Sequence, residues 1–245
     1  MWSYRVLLVQ AGWEASSEAR ITLAADLADR FEATLIGLAA EPLASPRDMR
    51  VAERRFHAAS SRAARQREWR SFAAPLATVL PREARAADML ILDAALGLCG
   101  SSPDGIPDRL GRPVLLVPHH LRALDASRIL IAWDETCEAR RAVTAALPVL
   151  RLAKRVEILS THDDPRENRN PDRDLSDIVV YLLRHAVRTD DARHASFNRR
   201  DAALQLRAAH AMGADLIVAG TRVLHRLVAS RNRGLPMEHC WLLSH

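Results

Sequence analysis

The residues of this 245-residue chain best suited to chemistry lie in one stretch near its C-terminus, VAGTRVLHRLVASRNRG, Val218 to Gly234. An apolar run gives way there to Gly220, Thr221 and Arg222, followed by His225, Arg226, Arg231, Arg233 and Gly234. Glycine lets a backbone approach an anion closely, and a helix N-terminus adds unpaired N–H groups that face it. Arginine forks suit phosphate oxygens. The stretch is therefore a candidate phosphate-binding loop with few glycines. The competing reading is a solvated basic segment, because arginine is used throughout: of 35 basic residues only Lys154 is lysine.

Other chemistry is poorly supplied. His119 and His120 are adjacent but have no carboxylate or cysteine at ligand spacing, so no metal site is expected. THDDP, Thr161 to Pro165, lacks the repeated oxygen spacing of a calcium loop and reads as a polar loop. Cys99, Cys137 and Cys240 are scattered and odd in number, which fits a reducing cytoplasm rather than a disulfide framework. Cys137 stands near a helix start, yet no paired base is evident. No G-x-S-x-G, H-E-x-x-H or intact G-x-x-x-x-G-K-[ST] occurs, so no catalytic residue is assigned and a non-enzyme is expected.

The elements that position these residues come from a duplication. RVLLVQA, Arg5 to Ala11, matches RILIAWD, Arg128 to Asp134, at an offset of 123 residues. AADMLILD, Ala86 to Asp93, matches GADLIVAG, Gly213 to Gly220, at an offset of 127. SEAR and CEAR follow the first pair and open helical stretches, with apolar stripes at Leu23, Leu27 and Phe31 and at Val143, Leu147 and Leu150. Further strand candidates are ATLIGLAA and VEILSTH, EWRSFA and ARHASF, and RPVLLVPH and CWLLSH. Short apolar strands alternating with helices predict an α/β protein of two tandem domains, residues 1–121 and 126–245, each a five-stranded parallel sheet with helices on both faces. Pro81 is expected in a first turn and Pro148 at a kink.

In such sheets ligands bind beyond the carboxyl ends of strands where the strand order reverses, here after strands one and four of each half. Those positions are Asp134 and Gly220 in the second half, Ala11 and Asp93 in the first. At this level of detail the chain resembles a tandem universal stress protein. ILIAWDETCEARRAVTAALPVL and GADLIVAGTRVLHRL carry the likeness, and the duplicated layout extends it over the whole chain. The resemblance implies ATP or another adenine nucleotide as ligand, an acid after strand one near the adenosine, and a G-x-x-G, nine-residue, G-[ST] pattern at the phosphates. It places Asp134 at the acid and Gly220 at the first glycine, with Thr221, Arg222, Arg226 and Gly234 around the phosphates.

The match is partial. Val223 replaces the second glycine, and a β-branched residue resists a left-handed backbone and adds bulk. Arg233 stands where the third belongs, with Gly234 one place late. In the first half Ala11 replaces the acid and Asp93 the glycine, so that half is expected not to bind. Asp134 has a second reading as a carboxylate serving a helix N-terminus. The expectation is a non-enzymatic cytoplasmic stress-type protein acting through protein contacts, without a cofactor, its halves packed as a pseudo-dimer and open to homo-oligomerisation. The alternative is an adenine-nucleotide switch using the second half alone. An enzyme acting on a nucleotide rests only on analogy between folds.

The formal net charge of +5 raises nucleic acid as a partner. Between Arg47 and Arg70 eight arginines face three acids, which a solvated helix face explains better. No apolar run approaches the roughly 20 residues of a membrane span, and MWSYRVLLVQAGWE lacks the pattern of a secretory leader.

Overall fold

The computed structural model describes residues 3–61, 66–95, 110–162, 171–196, 204–224 and 239–244. The chain divides into two compact units, Met1–Leu124 and Asp125–His245. The first unit runs β1 (Val6–Gln10), α1 (Ser16–Phe31), β2 (Thr34–Ala40), α2 (Pro46–Ser60), β3 (Gln66–Phe72), α3 (Leu76–Glu83), β4 (Met89–Asp93) and β5 (Val114–Val117). Its strands lie in the order β3-β2-β1-β4-β5, and the pairs are parallel. The second unit runs β6 (Arg128–Trp133), α4 (Cys137–Leu150), β7 (Arg155–His162), α5 (Pro171–Arg184), β8 (Asp191–Ser196), α6 (Leu204–Met212), β9 (Leu216–Gly220) and β10 (Cys240–Ser244). Its order is β10-β9-β6-β7-β8, again parallel and the same path as the first.

The central strands are nearly continuous apolar runs because both faces are covered: VLLV of β5 and ILIAW of β6 are buried throughout. Right-handed crossovers put α1 and α2 on one face, and the reversal after β3 sends α3 to the other. The same holds for α4 and α5 against α6. Leu23, Leu27 and Phe31 of α1 are buried, as are Val143, Leu147 and Leu150 of α4.

Hydrogen bonds at the strand starts correct the register of the repeat. Asp88 accepts from the backbone N–H groups of Arg5 and Val6 at 2.7 and 2.9 Å. Asp215 accepts in the same way from Ser127 and Arg128, at 2.9 and 3.3 Å. Arg5 therefore corresponds to Ser127, an offset of 122 rather than 123, while Asp88 and Asp215 keep the offset of 127. The counterpart of Asp134 is thus Gly12, not Ala11. SEAR and CEAR are not equivalent either, since Ser17 and Arg20 are buried while Cys137 and Arg140 are exposed.

Pro81 lies inside α3, beyond its first turn, and Pro75 takes the N-cap position. The helix tolerates it because it ends two residues later and continues as a 3-10 turn, Ala84–Ala86. Pro148 falls within the last turn of α4. Helix α2 starts with a capping box, in which Ser45 Oγ accepts from the Asp48 amide and Asp48 accepts from the Ser45 amide.

Gly37 of β2 sets how closely α2 can approach. A Cβ there would lie 2.6–2.8 Å from the ring atoms of Phe56, which is fully buried. Gly37→Ala is expected to cost about 1–3 kcal/mol through overpacking, read as a lower denaturant midpoint with unchanged slope.

Candidate functional site

The second unit assembles its candidate site where β6 and β9 end side by side. Beyond Trp133 the chain turns through Asp134, Glu135 and Thr136 into α4. Glu135 takes a left-handed backbone, φ 56°, which reverses the chain without a glycine. Thr136 is the N-cap of α4: its Oγ1 accepts from the Ala139 amide at 3.1 Å and donates to Asp134 Oδ1 at 2.7 Å. Asp134 therefore does not cap the helix itself. It orients the hydroxyl that does.

Gly220 ends β9 against the first turn of α4. A Cβ there would lie 2.9 Å from the Ala139 nitrogen and 2.9 Å from Glu138 Cβ, both too close for any side chain. Its φ is not positive, so glycine is required by this contact and not by a left-handed turn. Residues 221–224 continue as helical backbone. Val223, read from the sequence as an obstacle to a left-handed turn, is helical and 1% exposed, because no left-handed conformation is asked of it. Thr221 is buried as well, and Arg222 alone of these points to solvent. Arg226 and Gly234 lie outside the described residues, as do His225, Arg231 and Arg233.

Glu138, unremarked in the sequence, flanks Gly220. The Cys137 thiol donates to Glu138 Oε2 at 3.1 Å. That bond, with a smaller contribution from the Arg222 charge, holds the Glu138 carboxyl below the usual range. Arg222, the exposed cation beside Gly220 among the described residues, thus acts on an acid of the protein itself, and Asp134 adds a second carboxylate at the start of α4. Among the described residues no group of three or more potential metal ligands occurs.

The first unit fills the matching place with an ion pair. Arg20, 1% exposed on the apolar face of α1, reaches the ends of β1 and β4. Its Nη1 donates to Asp93 Oδ2 at 2.6 Å and its Nε to the Gln10 carbonyl at 3.0 Å. Its Nη2 makes no hydrogen bond and has Glu14 at 3.6 Å. Asp93 also accepts from the Ala95 amide at 2.8 Å. The Glu14 carboxylate covers Gly12, whose amide donates to Ser17 Oγ at 2.8 Å. Burial lowers the Arg20 pKa, and the Asp93 charge opposes that shift. A signal for this pair was present in the sequence: Arg20 precedes Leu23 by three residues and Leu27 by seven, so it lies on the apolar stripe.

No family model and no curated protein matches the sequence. Solved structures do. A universal stress protein from Archaeoglobus fulgidus superposes with a TM-score of 0.67 at 13% identity, covering 98% of this chain and 95% of that one. The chain has the universal stress protein fold. A provisionally named universal stress protein from Pseudomonas aeruginosa gives a TM-score of 0.65 at 17% identity, covering 98% and 92%. The cytoplasmic domain of a prokaryotic cation chloride cotransporter gives 0.60 at 11% identity, covering 99% and 96%. A universal stress fold thus occurs in settings that differ widely, and the function must be argued from the strand ends.

Asp93→Ala would leave the buried Arg20 charge without its closest partner. It is expected to cost stability toward the lower end of about 3–5 kcal/mol, because Asp93 is partly solvated, and Arg20→Met combined with it should recover much of the loss in urea denaturation. Val223→Gly should lower stability by about 2–4 kcal/mol, from lost apolar burial and helix propensity, in a thermal or urea melt.

Proposed function

We propose that this protein is a non-enzymatic stress-type protein that acts through contacts with other proteins, with nucleotide binding weakened in the second unit and absent from the first. The observation that carries the reading is the filled strand ends. The Arg20–Asp93 pair occupies the first unit's tip at 2.6 Å. In the second unit Gly220 is in contact with α4 and has Glu138 beside it. A nucleotide phosphate entering there would displace packed groups and face carboxylates, a cost that a surface arginine such as Arg222 offsets only in part. Assembly into homo-oligomers and a cytoplasmic location belong to the same proposal. No helix among the described residues is long and apolar enough to cross a membrane.

A second reading has one specific observation in its favour: Asp134 directly follows β6 and Gly220 ends β9, two neighbouring paired strands, as a residual nucleotide site in the second unit requires. Calorimetric titration of the full chain with ATP and Mg²⁺ separates the two. No saturable heat at micromolar ligand is the expected result. Saturable binding that Asp134→Ala abolishes would establish the nucleotide switch in its place.

A further inference from the structure

The second unit contains a cavity of about 350 Å³ between α4 and α5, on the flank of the sheet. Its depth is apolar, formed by the buried side chains of Trp133, Val143 and Ile178. Its mouth is charged, with Glu135, Arg140 and Asp177. At the corresponding place in the first unit the packing differs, and the register shows how. There Phe56 of α2 lies on the bare Cα of Gly37, and α2 packs on α1. Strand pairing puts Ile158 where Gly37 stands, since Val9 pairs with Gly37 and its counterpart Ile131 with Ile158. The buried, branched Ile158 side chain stands where the first unit has a bare Cα, so a ring cannot lie on this strand as Phe56 does on Gly37.

We propose that this cavity binds a small organic cation with a ring-sized apolar body, an arylalkylamine in chemical class. Trp133 and Tyr181 offer aromatic surface, which attracts both apolar rings and cations. Among the described lining residues two carboxylates, Glu135 and Asp177, stand against the one guanidinium of Arg140, whose Nη1 donates to the Glu135 carbonyl at 3.1 Å. The mouth therefore favours a cation and opposes a phosphate or carboxylate. The lining is held in place: Trp133 Nε1 donates to Glu135 Oε1, and Thr144 Oγ1 stands 3.3 Å from the Tyr181 hydroxyl. Glu135 keeps its uncommon backbone, φ 56°, at this point. The volume is at the small end of ligand pockets, which run to about 300–1,000 Å³, and admits one ring and a short arm.

The test uses the full chain with three probes of similar size: 2-phenylethylamine, 2-phenylethanol and 3-phenylpropionate, followed by calorimetry or ligand-observed NMR. The amine should bind saturably, the alcohol more weakly and the carboxylate not at all. Asp177→Asn should weaken the amine about three- to tenfold. Thr144→Trp, at an exposed position of the lining, should abolish binding by filling the mouth, with folding of both variants checked by thermal unfolding. No saturation by the amine at millimolar concentration, equal binding of the carboxylate, or full binding by folded Thr144→Trp would overturn the proposal. None of these outcomes depends on whether ATP binds.

Discussion

Two carboxylates at the starts of strands set what every other part of the molecule can do. Asp88, just before β4, holds the first amides of β1, and Asp215, just before β9, holds those of β6. Each carboxylate ties the first strand of its unit to the fourth, the two strands whose far ends would make a binding site. In parallel sheets a slip of one residue sends each side chain to the opposite face. By fixing which residue comes first, each aspartate determines which residues lie level at the far end: Ala11 with Asp93 in one unit, Trp133 with Gly220 in the other. Because charge-assisted bonds to backbone amides are both short and directional, they specify this register more sharply than apolar runs such as VLLV could.

The strand ends of the two units are packed by two different means. In the first unit a buried arginine is drawn to an aspartate, the Gln10 carbonyl and a more distant glutamate. A buried pair of this kind contributes little net stability relative to an apolar filling, since desolvation consumes most of the attraction. It does make the place expensive to open, because separating the partners strands a buried charge. In the second unit the contact is steric. The first turn of α4 rests on Gly220, and the hydroxyl of Thr136 is held both by Asp134 and by the helix it caps. Removing the glycine would push the helix away; keeping it serves packing first.

Apolar periodicity was enough to read the parallel strands and the apolar stripes of α1 and α4. Register was not legible, because RVLLVQA and RILIAWD align best on their shared leading arginine, whereas the sheet aligns Arg5 with Ser127. The error of one residue misplaced the counterpart of Asp134. Val223 shows a second limit. A motif comparison assigns the position a left-handed turn, and only the backbone shows that the segment is helical and the valine packed inward. Glu138 went unnoticed for a related reason: an acid in a first helical turn is so common as a partner of the helix dipole that nothing in its spacing marks it as a neighbour of Gly220. Arg20 was legible in principle, as a charge on an apolar stripe.

The two halves diverge most where a single small side chain controls a large one. Gly37 admits the ring of Phe56, which lies tilted against Trp69 with centroids 5.5 Å apart, and α2 packs on α1. Ile158 at the same register position keeps the strand apolar and places a branched side chain where the first unit has a bare Cα. Neither residue alters the apolar character that makes the fold recognisable, so both satisfy the demands of a buried parallel strand. The difference is expressed one layer out, between helices. A shared strand order thus leaves the packing at the strand ends and between the helices free to differ from one unit to the other.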